Sequence, residues 1–82
     1  MPAHTPELTF TQRQREVIGL IANGLSNAEI AARLGISART AKAHSDVLRA
    51  KLGVLRRRQI PAAFRDVTGE DPHALTSLET PS

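Results

Sequence analysis

Arg39, Lys42, Asp46 and Arg49 recur at intervals of three and four residues, the spacing that gathers side chains on one face of an α-helix. Ala43 shares that face and narrows it near its N-terminal end. The chemistry on offer is recognition of a polyanion. A lysine ammonium can donate to guanine O6 and N7, an alanine methyl can meet a thymine methyl, and a carboxylate can accept from cytosine N4. Arginines and a threonine hydroxyl can hold phosphates, which gives Arg39, Thr40 and Arg49 a positioning task. Asp46 has a second reading, an intrahelical ion pair with Lys42 and Arg49. That reading is favoured, because a bare carboxylate facing phosphates is repelled.

Catalysis has no comparable support. The chain has no Ser-His-acid spacing and no glycine-rich phosphate loop, and its carboxylates are scattered, so no catalytic residue is assigned and an enzyme is not expected. His4, His44 and His73 lack ligand spacing and cysteine is absent, so no metal and no cofactor are expected.

A binding face of this kind needs a helix to carry it, and local signals mark one. Ser37 can cap its start and Gly53 can stop it, predicting a helix over 38–52 whose other face, Ala41, Ser45, Leu48 and Leu52, suits a core. Just upstream, Ser26 and Glu29 form a capping box for a short helix over 27–34, closed by Gly35. Short helix, glycine turn and longer helix is the layout of a helix-turn-helix. Thr11 and Gln14 form another capping box, with Phe10 placed as a hydrophobic staple, and Val17, Leu20 and Ile21 continue that helix over about 12–23. A fourth amphipathic helix follows the run Arg56, Arg57, Arg58, with Ile60, Ala63, Phe64 and Val67 on one side. Pro61 fits only in a first turn, which places that helix at about 58–67 with any earlier turn distorted. The expected fold is all-α, a four-helix bundle-like domain.

Eighty-two residues make one small domain. Residues 1–9 read as a flexible lead-in, 10–67 as the domain, and 68–82 as an acidic tail expected to be disordered. The formal charge of +3 understates how basic the domain is, since all eleven Lys and Arg lie at or before Arg65 while Glu70, Asp71 and Glu79 fall in the tail. A basic domain attracts nucleic acid and anionic membranes alike. No apolar run approaches the roughly 18 residues of a membrane span, and the N-terminus lacks the regions of a secretory signal. A cytoplasmic protein without membrane contact is expected.

The stretch FTQRQREVIGLIANGLSNAEIAARLGISARTAKAHSDVLRAKLGV resembles the LuxR-type helix-turn-helix, also called GerE or NarL/FixJ-type. Phe10, Thr11, Arg15, Glu16, Val17 and Ile18 match the family's opening block, and Gly24 to Asn27 with Glu29, Ile30 and Ala31 match its second. Ile36, Ser37, Thr40, Lys42, His44 and Lys51 to Val54 match its recognition-helix block, and the likeness extends over residues 10–64. The resemblance implies a transcriptional regulator that binds double-stranded DNA sequence-specifically, with the 38–52 helix in the major groove. It implies base contacts from Lys42, Ala43 and Asp46, and adds Arg57 to the phosphate contacts. It also implies a homodimer through Ile60, Ala63, Phe64 and Val67, contact with RNA polymerase, and no small-molecule ligand in this chain. The domain would act alone or as the output domain of a response regulator.

Four positions depart from the family pattern. Gln14 replaces a glutamate, Ala41 and Ser45 thin the core face of the third helix, and Pro61 interrupts the fourth. Two alternatives share parts of the pattern: a promoter-binding domain like region 4 of a sigma factor, and a helical protein-interaction module with an acidic partner. Lys42 and His44 with the Lys51-Leu52-Gly53-Val54 ending favour the LuxR type over the first.

Overall fold

The computed structural model describes residues 8–75. Its elements are α1 (Gln12–Ala22), α2 (Asn27–Leu34), α3 (Ala38–Leu52), a 3-10 turn at Arg57–Gln59, α4 (Ile60–Thr68) and a second 3-10 turn at Pro72–Leu75. There is no strand among the described residues.

Each of the first three helices starts where a side chain satisfies its orphan backbone donors. Thr11 Oγ1 accepts from the Gln14 N–H at 3.0 Å while Gln14 Oε1 accepts from the Thr11 N–H at 2.9 Å. Ser26 and Glu29 repeat the exchange at 3.1 and 2.7 Å. Ser37 Oγ accepts from the Thr40 N–H at 3.0 Å, opening α3 without a reciprocal partner. Between α2 and α3 the chain reverses at Gly35, whose φ of 71° lies in the left-handed region that glycine enters without strain.

Pro61 sits in the first turn of α4, where its missing N–H has no intrahelical role. The turn ahead of it is 3-10, the distortion the sequence predicts. Gln59 steadies that entry, its Oε1 accepting from the Leu55 and Arg56 N–H groups at 3.1 and 2.8 Å.

The core joins Val17, Ile18, Leu20 and Ile21 of α1 to Ile30 and Ala31 of α2, Ala41 and Leu48 of α3, and Ile60 and Phe64 of α4. Phe10 does not simply staple α1. It packs edge-on against Phe64 with ring centroids 5.1 Å apart, tying the chain before α1 to α4. Ile60 and Phe64, expected as dimer contacts, are both 0% exposed and belong to the domain's own core. Ala63 is half-buried and Val67 is 48% exposed.

The expected tail also changes. Thr68 ends α4, and Pro72–Leu75 fold back as a 3-10 turn against α1, burying Pro72. Arg15 of α1 pairs with Glu70, and the Asn23 side chain donates to the His73 carbonyl at 3.4 Å. One buried proline and one charge pair to α1 anchor the described part of the acidic segment against that helix. The lead-in before Leu8 and residues 76–82 lie outside the described residues.

Candidate nucleic-acid interface

The back of α3 fixes how its front is presented. Ala41 and Leu48 are 0% exposed and Ser45 is 3% exposed, so the two positions that the sequence marks as thin are enclosed, and Leu52 at the end of that face is half-buried. A buried hydroxyl needs partners, and Ser45 Oγ donates to Asn27 Oδ1 at 3.2 Å and lies 3.4 Å from the Ala41 carbonyl. Asn27 Oδ1 also accepts from Arg57 Nε at 2.9 Å, while Arg57 Nη2 donates to the Leu25 carbonyl at 2.6 Å. Arg57 thus binds the start of α2 to the approach to α4, and Ser45 ties α3 to the same asparagine.

This arrangement gives Arg57 a different setting from the phosphate contact expected of it. It is half-buried, burial pulls its pKa below the ordinary arginine value, and two of its nitrogens are engaged within the domain. The solvent-facing cations of the run are Arg56 and Arg58. Asn27 is the residue that sequence reasoning missed as a junction. A polar residue at core position 45 was its only signal, since it demands a nearby partner.

On the outer face, Arg39, Thr40, Lys42 and Ala43 are exposed. The Thr40 N–H is engaged by the Ser37 cap, and its Oγ1 accepts from Ser37 Oγ at 3.0 Å. Lys42 is the most open of the paired cations here, with 68% of its side chain exposed, yet its Nζ lies 3.0 Å from Asp46 Oδ2. Arg49 Nη2 meets Asp46 Oδ1 at 2.6 Å, and Arg49 Nη1 donates to the Leu55 carbonyl at 3.2 Å. Hydrogen bonds from Arg49 first, and then Lys42, hold the Asp46 carboxyl below its usual range. The intrahelical pairing expected for Asp46 is present on both sides of it. Lys51 turns away, its Nζ 3.1 Å from Gln14 Oε1 and 4.9 Å from the Phe10 ring centroid. His44 is half-buried beside this face. No group of His, Cys, Asp and Glu among the described residues could hold a metal ion.

A short capped helix, a glycine reversal and a longer helix with a locked back and a cationic front make a helix-turn-helix. The profile of the bacterial regulatory proteins of the luxR family, GerE, matches residues 8–62. The chain belongs to that family. Among its luxR-type relatives, the probable transcriptional regulatory protein SgaR of Hyphomicrobium methylovorum is 48% identical over 54 residues, which is 66% of this chain and 26% of SgaR. The transcriptional regulatory protein MctR of Rhizobium johnstonii is 50% identical over 45 residues, 55% of this chain and 21% of MctR. A solved complex of Vibrio cholera VqmA with ligand and DNA shares the fold at a TM-score of 0.66, with 26% identity, over 92% of this chain and 34% of that one. This luxR-type chain therefore spans about a quarter of the length of the curated relatives named here. The family is one of transcriptional regulators rather than enzymes. No helix among the described residues is long and apolar enough to cross a membrane.

Proposed function

We propose that this luxR-type domain binds double-stranded DNA sequence-specifically as the DNA-reading part of a transcriptional regulator, with α3 in the major groove. The observation that carries the reading is the outer face of α3. Lys42 and Ala43 stand open to solvent on a helix whose opposite side is enclosed at Ala41, Ser45 and Leu48. A rigid helix of 15 residues with a narrow cationic front suits the groove, which admits one α-helix.

In this reading Lys42 donates to a guanine edge and Ala43 lies against a neighbouring base. Arg39 and Thr40 hold phosphates beside it, while Arg49 stays paired with Asp46. Arg57 contributes indirectly, by setting α2 and α3 in register. Two copies pair through the open side of α4, around Val67 and Ala63, and place their α3 helices about one turn of DNA apart. The domain works by binding, in the cytoplasm where its target lies, and it needs no cofactor. Contact with RNA polymerase belongs to the complete regulator.

Lys42→Ala and Arg39→Ala separate base reading from phosphate holding. Lys42→Ala relaxes preference at one position of the site, by about 1 to 3 kcal/mol. Arg39→Ala weakens binding to all sequences and reduces the salt slope by about one unit. An unchanged sequence preference in Lys42→Ala, measured by binding to a panel of single-substituted duplexes, contradicts the base contact.

A further inference from the structure

Asp46 is the one acidic side chain on the outer face of α3, and it sits in the middle of the cations that face carries. Its two oxygens are divided. Oδ2 takes Lys42 Nζ at 3.0 Å and Oδ1 takes Arg49 Nη2 at 2.6 Å. Arg49 is fixed a second time by the Leu55 carbonyl at 3.2 Å, so the chain of contacts runs from the first turns of α3 to the loop beyond its end. The carboxylate is 43% exposed, open enough to face whatever α3 meets.

We propose that Asp46 is a positioning residue that determines selectivity: it holds Lys42 and Arg49 for contact within the groove and withholds their charge from sequence-independent contact with phosphates. The inference rests on the DNA-binding reading of α3. A lysine ammonium has three donors. With one on Asp46, Lys42 retains two for the O6 and N7 acceptors of a guanine, so the pairing seen in the free domain survives in a matched complex.

On an unmatched sequence the same cations gain only by swinging to the nearest phosphates. That movement breaks both pairs and leaves a carboxylate facing the polyanion with nothing beside it. Asp46 therefore penalises the unmatched complex more than the matched one. Selectivity built this way comes from opposing the wrong complex as well as from favouring the right one.

The test compares the wild-type domain, Asp46→Asn and Asp46→Glu on a duplex carrying the selected site and on a random duplex, across a salt series. Asp66→Asn, an exposed change on α4, controls for net charge. Asp46→Asn is expected to raise affinity for the random duplex about threefold to tenfold and to steepen its salt slope by about one to two units. Affinity for the selected site should change less, so the ratio between the two falls. Asp46→Glu, which keeps the charge and can reach both cations, should hold the wild-type ratio. Equal gains on both duplexes, or a shift no larger than that of Asp66→Asn, overturn the proposal while leaving the DNA-binding reading intact. A loss of ratio in Asp46→Glu as large as in Asp46→Asn also overturns it. A wild-type domain that shows no preferred site overturns both.

Discussion

Replacing Arg57 with alanine distinguishes a phosphate contact from an internal brace. Arg57 makes two charge-assisted hydrogen bonds, to Asn27 Oδ1 at 2.9 Å and to the Leu25 carbonyl at 2.6 Å. A hydrogen bond to a charged group contributes about 1.5 to 3 kcal/mol when enclosed. The side chain here is only half-buried, Asn27 Oδ1 keeps the Ser45 hydroxyl as a donor, and water can reach the half-buried Leu25. Those features bring the expected loss of stability to about 2 kcal/mol. For a domain of this size, with a urea dependence of about 1 kcal/mol per molar, the unfolding midpoint should fall by about 2 M. Urea titration followed by circular dichroism measures it. Arg57→Lys should recover less than half, since a single ammonium replaces a planar fork. A midpoint within about 0.3 M of wild type, together with a DNA salt slope shallower by about one unit, would refute the brace and restore Arg57 to the phosphates.

Other changes test the core, the folded C-terminal segment and the turn. Phe64→Ala should cost about 3 to 5 kcal/mol, a large share of a total of roughly 0.05 to 0.15 kcal/mol per residue for a domain, so calorimetry should find a strongly lowered Tm or no transition at all; a Tm close to wild type would contradict the enclosed position of Phe64. Glu70 is held below the usual carboxylate range by the hydrogen bond and charge of Arg15. Its contribution is complete above the ordinary glutamate value of about 4.3 and is lost as pH falls through the lower folded value. Glu70→Gln should therefore lower Tm near neutral pH, and its curve should converge with that of wild type as pH falls below the ordinary glutamate range; parallel curves would show that the pair contributes nothing. Gly35→Ala meets no atom within 4 Å, so its cost is conformational, about 1 kcal/mol by urea unfolding.

The features legible in the sequence are those decided within a few residues. Ser26 and Ser37 cap helices through partners three residues on, and Gly35 and Gly53 close them in the left-handed conformation, which is why α2 and α3 begin and end where the sequence places them. Features that depend on distant partners were hidden. Arg57 reads as one of three adjacent arginines, and its acceptors on Leu25 and Asn27 come from another part of the chain. The apolar side of α4 is evident from its period, but period does not say whether Ile60 and Phe64 face their own core or a second copy. Pro72 looks like a terminator in an acidic stretch, and only the folded groove beside α1 turns it into an anchor. On the outer face of α3 the reverse holds. Lys42, Asp46 and Arg49 are near neighbours in sequence, so their pairing could be anticipated.

Sequence reading by α3 is the property on which the proposed function depends. Selection of bound duplexes from a random pool tests it most directly, with the wild-type domain and Lys42→Ala run side by side. The wild type should enrich a defined motif in two half-sites about one helical turn apart, and Lys42→Ala should lose preference at one position of each half-site. A recovered pool indistinguishable from the input, despite measurable binding, would contradict it.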